Sequence, residues 1–222
     1  MAHYRVHHEP RSSHQQILRR VKQLGRFPLL DVGAAQGILG QLLQGSDIVA
    51  DAVEPHLEWA SACTPFYRKV FCSPIETADL PAGEYKIVVC ADVLEHTADP
   101  VAVLKRLRQA ATSDAVFLVS VPNIAHLSIR LMLLAGYFPK MQRGILDQTH
   151  LQFLTRTTAE QMLNKAGLKV QRISATPFPA EELCRSGPTS GLYHLVSQAQ
   201  RPLVATMPRL FAMQFIFEAT AA

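Results

Sequence analysis

The stretch Leu29-Leu30-Asp31-Val32-Gly33-Ala34-Ala35-Gln36-Gly37 carries the densest chemistry in the chain. Apolar residues run into a carboxylate, and two glycines follow four positions apart. This is the pattern of a buried strand that ends, turns sharply and opens a helix. In an open α/β sheet, ligands bind outside the carboxyl ends of the strands, where that turn lies. Glycine has no Cβ and lets the backbone come close to a ligand. Glu54 follows 23 positions after Asp31, at the end of the next apolar run. A carboxylate at that place accepts hydrogen bonds from ribose hydroxyls. The turn departs from the dinucleotide fingerprint Gly-x-Gly-x-x-Gly. Ala35 replaces the second glycine and points a methyl group at any pyrophosphate, which Asp31 would also repel. The combination favours an adenosine-bearing ligand with a positive group and no phosphates. S-adenosylmethionine meets that description.

The elements that must hold these residues follow from periodicity and punctuation. Ser13-His14-Gln15-Gln16 resembles a capping box, Ile17, Leu18, Val21 and Leu24 recur at helical spacing, and Gly25 is a natural stop. Strands are predicted over 27–32, 48–53, 69–72, 85–91, 115–121, 169–176 and 211–219. The run 85–91 is nearly all apolar, as for a strand buried on both faces. Helices are predicted over 37–43 and 57–67, after Asp99-Pro100, and from Thr157-Thr158-Ala159-Glu160 to Gly167. On the helix after Asp99, Val101, Leu104 and Leu107 should face inward, and Lys105, Arg106 and Arg108 outward. Alternating strands and helices dictate an α/β fold, a mostly parallel sheet with helices on both faces. No clear crossover helix joins the last two strands, so an antiparallel final strand is expected. One domain over 1–222 is expected, with 124–154 as an insertion.

With these elements in place, the chain resembles the class I S-adenosylmethionine-dependent methyltransferases. The resemblance rests on residues 29–37, on Ala52-Val53-Glu54-Pro55, on Ile87-Val88-Val89-Cys90-Ala91-Asp92-Val93-Leu94-Glu95-His96, on Asp99-Pro100, and on residues 144–155. The last block is similar to small bacterial members often encoded beside glycosyltransferases. The resemblance implies a Rossmann-like, seven-stranded sheet with an antiparallel last strand. It implies that Asp31 holds the cofactor's amino group, that Gly33, Ala34, Gln36 and Gly37 pass beneath its methionine part, and that Glu54 and Pro55 meet the ribose. Ala91, Asp92 and Val93 line the same mouth. The family usually has an acidic residue for the adenine amino group after the third strand. Ser73-Pro74-Ile75-Glu76 stands there instead, so Ile75 is expected against the adenine face and Glu76, or a backbone carbonyl, in the polar role.

A hydroxyl acceptor benefits from a base, and a positioned histidine contributes about 10²–10⁴ in rate. His96, past the fourth strand, and His150, in the insertion, are the catalytic candidates. Two bland readings stand beside them: a helix-start residue for His96 and a hydrogen bond pinning the insertion for His150. Asp147 and Asn123 are candidates for binding acceptor hydroxyls. Asp92 and Glu95 alone do not make a metal centre, so no metal ligand is assigned. Related enzymes that methylate base amino groups end the fourth strand in Asn/Asp-Pro-Pro-aromatic, and Ala91-Asp92-Val93-Leu94 lacks it. The expected reaction is O-methylation of a small-molecule or glycan-type acceptor. A nicotinamide-dependent oxidoreductase and a non-catalytic protein of the same fold are the alternatives.

Composition narrows the setting. The net charge is +4, and the Lys and Arg residues are scattered without interleaved aromatics, so a nucleic-acid partner is not expected. None of Cys63, Cys72, Cys90 and Cys184 forms a Cys-x-x-Cys pair, which fits a reducing cytoplasm. The first ten residues are polar and rich in His, unlike a signal peptide. The apolar stretch 124–138 is interrupted by His126 and Arg130 and is too short to span a bilayer, which needs about 20 residues. Its broad apolar face suits a lid over the acceptor, or else a peripheral membrane or dimer contact.

Overall fold

The computed structural model describes residues 12–178 and 191–222. Cys184 and the polar first ten residues lie outside the described residues. Seven strands form one sheet: β1 (Leu29–Val32), β2 (Ala50–Val53), β3 (Lys69–Phe71), β4 (Tyr85–Ala91), β5 (Ala111–Pro122), β6 (Leu168–Thr176) and β7 (Gln214–Ala221). Their spatial order is β3-β2-β1-β4-β5-β7-β6. The first five run parallel, while β7 is antiparallel to both β5 and β6. The expected antiparallel last strand is present, inserted between β5 and β6.

The order reverses between β1 and β4, which is where open α/β sheets leave a crevice. Register makes that crevice usable. Val32 lies opposite Val53 and Cys90, so β1, β2 and β4 end level. Gly33, Glu54 and Ala91 therefore emerge side by side from one edge.

Successive strand residues point to opposite faces, and here both faces are covered. Leu30, Val32, Val88, Cys90, Phe117 and Val119 pack on one side against α4 (Pro100–Ala110) and α6 (Arg156–Lys165). Leu29, Ile87, Val89 and Leu118 pack on the other against α1 (Ser13–Leu24) and α2 (Ile38–Leu43). Two-sided burial explains why the strands read as continuous apolar runs.

Helix ends differ in detail from the sequence expectations. The cap of α1 is Ser12, whose side chain accepts from the Gln15 amide, and Ser13 is itself buried. Asp99 and Pro100 start α4 as expected. Val103, however, turns inward with Leu104, Leu107 and Ala110, and Val101 is only partly covered. α6 begins two residues early, because Thr155 and Thr158, rather than Thr157 and Glu160, form the reciprocal cap. The predicted helix over 57–67 is α3 (Leu57–Cys63) followed by a 3₁₀ turn, Thr64–Phe66, with Pro65 inside that turn. The remaining helices among the described residues are α5 (Leu127–Leu134), α7 (Gly191–Thr206) and α8 (Pro208–Phe211). α7 lies in the connection where no helix was expected, and it carries Pro202 inside it.

Candidate active site

The turn after β1 is held by hydrogen bonds rather than by glycine alone. The amides of Gly33 and Ala34 donate to the Val53 carbonyl at 2.8 and 3.2 Å, tying the turn to β2. Gly33 has φ +70°, and a Cβ there would stand 2.6 Å from Cγ2 of Val93. It is glycine because the β4 turn presses on it. Ala35 adopts φ 49°, a left-handed conformation that glycine would take more cheaply. The Glu54 carboxylate compensates by accepting from the Ala35 amide at 2.8 Å and from the His56 amide at 2.9 Å. Gly37 caps α2 at φ 80°.

Asp31 and Glu54 are 4% and 3% exposed, so both carboxylates sit at the buried floor of this mouth. Burial pushes Asp31 up to about 7, against the opposing hydrogen bond from Tyr67, and nearby Glu54 adds to the rise. Burial also raises Glu54, against the His56 and Ala35 amides. Two buried carboxylates beside each other attract a cation. No local sequence pattern marks Tyr67 for this role. Its hydroxyl donates to Oδ2 of Asp31 and accepts from the Gly40 amide at 2.9 Å. A Cβ on Gly40 would come within 2.7 Å of the Tyr67 ring, so this third glycine admits the tyrosine rather than a ligand. Cys63 donates its thiol to the Ala35 carbonyl, and burial pushes that thiol up to about 12, so it stays protonated.

At the end of β4 the chain turns through Asp92, which has φ 55°. Its carboxylate accepts from Ser120 Oγ and from Gln214 Nε2, each at 2.8 Å. Asp92 thus ties the turn to β5 and β7, and its side chain is committed to those strands. The turn then carries the 3₁₀ segment Leu94–His96 to the same edge as Gly33 and Glu54. Glu95 is 1% exposed, and both of its carboxylate oxygens are buried without a hydrogen-bond partner. Burial, with Asp92 and Asp147 adding negative charge, holds its pKa well above the usual carboxylate range.

The insertion folds back onto this turn. The amides of Leu151 and Gln152 both donate to the Glu95 carbonyl, at 2.7 and 2.9 Å. That clamp brings His150 to His96, ring centroids 4.8 Å apart in an edge-on arrangement. His150 Nδ1 lies 3.1 Å from the Ile145 carbonyl. Burial lowers the His150 pKa below the usual imidazole value, keeping the ring neutral. His150 therefore both pins the insertion and shares a site with His96.

The other candidates have partners of their own, lie in the core or reach the surface. Asn123 is fully engaged, donating to the Arg209 and Ala212 carbonyls and accepting from the Ala125 amide. Asp147 accepts from the Thr149 amide and hydroxyl. Ile75 is buried among Val53 and Phe71 in the main core, Ala34 is in the opposite core cluster, and Gln36, Pro55 and Glu76 are at least partly exposed. On α5 only Ile129 is buried, against Ile145 and Leu146. Leu131, Leu133 and Leu134 are exposed. Among the described residues, no helix is long and apolar enough to cross a membrane.

The donor set fits S-adenosylmethionine: buried acceptors for its ammonium and ribose hydroxyls, beside a turn that carries Ala35 in place of a second glycine. Known proteins share the fold. A crystal structure of an S-adenosylmethionine-dependent methyltransferase from Archaeoglobus fulgidus superposes with a TM-score of 0.63 at 17% identity, covering 95% of both chains. Magnesium protoporphyrin IX methyltransferase from Synechocystis PCC 6803, with bound S-adenosylhomocysteine, gives 0.62 at 15% identity over 95% of this chain and 82% of that one. The ubiquinone biosynthesis O-methyltransferase of Acinetobacter baylyi is 31% identical over 88 residues, which is 35% of this chain and 36% of that enzyme. The match thus spans about a third of that relative. The model of the methyltransferase domain family matches residues 2–173, most of the chain. The chain belongs to that family of methyltransferase domains.

Proposed function

We propose that this methyltransferase acts on a hydroxyl oxygen of a small-molecule or glycan-type acceptor. The observation that carries the reading is the His96–His150 pair, set past the end of β4 beside the cofactor mouth. A hydroxyl is a weak nucleophile at neutral pH and gains from a proton acceptor at hand. The neutral His150 ring is suited to that task. The name of the Acinetobacter relative, an O-methyltransferase, supports an oxygen acceptor.

The sulfonium supplies an activated methyl group, and the protein supplies its position, a contribution of about 7–11 kcal/mol in well-oriented reactions. Asp31 binds the cofactor's ammonium and Glu54 its ribose. The backbone of Gly33, Ala34, Gln36 and Gly37 runs beneath the methionine part. Pro55 meets the ribose beside Glu54, Glu76 borders the adenine with Ile75 backing that loop from the core, and Ala91, Asp92 and Val93 form the opposite wall. Residues 124–154 act as the acceptor-side lid, with Phe153 stacked edge-on against Phe138 at 5.5 Å to give it an apolar surface.

Calorimetry with S-adenosylmethionine tests the cofactor half. The acceptor half is tested by mass spectrometry of products from a panel of hydroxylated and amino acceptors. Transfer to amines alone would overturn the oxygen assignment. His96→Ala should lower turnover while leaving cofactor affinity intact, and an unchanged rate would refute its role as base.

A further inference from the structure

We propose that Glu95, His96 and His150 form a binding site for a divalent cation of the Zn²⁺, Mn²⁺ or Fe²⁺ class at the acceptor side of the cofactor mouth. A carboxylate oxygen of Glu95 and one ring nitrogen of each histidine lie within 4.8 Å of one another. Donors around one such ion sit about 3–3.5 Å apart, given metal–ligand distances near 2.0–2.2 Å. Closing the cluster needs displacements of about an ångström, within side-chain rotation.

Three features show a site rather than a chance meeting. First, Glu95 is the one carboxylate among the described residues whose two oxygens are buried with no hydrogen-bond partner. An unpaired buried carboxylate costs several kcal/mol, and a coordinated cation removes that cost. Its backbone is clamped by Leu151 and Gln152, so the side chain does not escape to solvent by a small shift.

Second, hydrogen bonds fix the tautomer of both histidines and leave each a free lone pair. His150 Nδ1 faces the Ile145 carbonyl at 3.1 Å, and His96 Nδ1 faces the Thr149 carbonyl at 3.3 Å. A carbonyl only accepts, so each Nδ1 carries the proton and each Nε2 keeps a free lone pair. The Thr149 hydroxyl donates to Asp147 and so also accepts from His96 Nδ1 at 3.1 Å. Backbone carbonyls and carboxylates behind the imidazoles are the usual outer support of metal-bound histidine. Third, Asp92 and Asp147 add negative charge around the cluster. Two imidazoles and one carboxylate suit the zinc, manganese and iron class, whereas Mg²⁺ and Ca²⁺ prefer oxygen ligands alone.

The catalytic consequence rests on the O-methyltransferase reading above. Three protein ligands leave coordination open for the acceptor oxygen. The bound hydroxyl is acidified and its proton passes to water. The oxygen then forms the new C–O bond as the C–S bond breaks, and the electron pair stays on sulfur. His96 and His150 would serve as ligands with the ion in place, and as proton acceptors without it.

The test does not need the acceptor. The full chain, stripped with a chelator, is titrated with Co²⁺ alone and followed by its visible ligand-field absorption. One tight equivalent with a nitrogen-ligated spectrum is expected. His150→Ala and Glu95→Gln should each weaken that site at least about tenfold. S-adenosylmethionine calorimetry on the same samples checks that each variant is folded. No binding, or a spectrum unchanged in both variants, overturns the proposal, and the histidines near the N-terminus would account for an unchanged signal. Failure of the wild type to bind S-adenosylmethionine would instead overturn the cofactor assignment and leave the metal result standing.

Discussion

Two buried acids at opposite ends of the sheet make an instructive pair. Asp51, near the start of β2, accepts from Arg68 at 2.9 and 2.6 Å and from the Tyr85 hydroxyl at 2.9 Å. Glu95, just past the end of β4, is equally buried and accepts from nothing. Asp51 shows what a structural carboxylate looks like: its partners offset its desolvation. Glu95 shows the opposite, a carboxylate whose cost the fold carries and which only a ligand, a proton or a cation repays. Asp31 and Glu54 stand between them, partnered by backbone amides and a tyrosine yet still raised by burial. The carboxyl edge of the sheet holds buried carboxylates whose protons burial retains, and at the opposite end Asp51 is fully paired.

The sharpest way to break this contrast is at the turn between the two halves of the carboxyl edge. Gly33→Ala forces a Cβ to within 2.6 Å of Val93 and keeps φ at +70°. A loss of about 3 kcal/mol or more in chemical denaturation is expected from overpacking and left-handed strain together. A wild-type-like midpoint would show that the β4 turn yields freely. Next, Glu54→Ala removes a charged acceptor from two amides and from the proposed ribose site. Cofactor affinity measured by calorimetry should fall roughly 10–150-fold, the equivalent of about 1.5–3 kcal/mol.

The comparison itself is tested by paired substitutions. Asp51→Ala strands the buried Tyr85 hydroxyl and should cost about 1–3 kcal/mol. Glu95→Leu exchanges an unpaired acid for an apolar side chain of similar size and should be neutral or stabilising by about 1–4 kcal/mol, while lowering turnover. If Glu95→Leu destabilises as much as Asp51→Ala, Glu95 is structural after all.

A pH series probes Asp31 more gently. Its folded pKa of about 7 lies above its ordinary value of 3.8. The ligand-free fold therefore holds the proton that the unfolded chain releases, and this contribution to stability declines from about pH 4 to about pH 7 and is flat above. A cationic ligand prefers the ionised form, so S-adenosylmethionine affinity should weaken up to about tenfold per unit below pH 7. A flat affinity profile between pH 5 and 8 would separate Asp31 from the ammonium. The smallest change is expected from Tyr67→Phe, about 1 kcal/mol in stability with a further rise in the Asp31 pKa, visible as a shift of that same profile.

Much of this molecule was legible in the chain. Two-sided burial forces continuous apolar runs, so β1, β4 and β5 announced themselves. The carboxylate-turn-glycine segment with Glu54 pointed to the cofactor class, because ligand charge and backbone clearance are local properties of side-chain type and spacing. His96 and His150 were also visible as candidates, since neutral-pH proton chemistry needs imidazole. Caps were placed a residue or two off because several Ser and Thr residues compete for the same amides, and only final chain geometry selects Ser12 and Thr155. Tyr67 meeting Asp31, Asp92 turning back to Ser120 and Gln214, and Glu95 closing on His150 are contacts between segments far apart in sequence. No local pattern encodes them. They arise because parallel register brings the ends of β1, β2 and β4 level, and because the insertion is clamped across the last of these ends. Burial then decides which carboxylates are left without a partner.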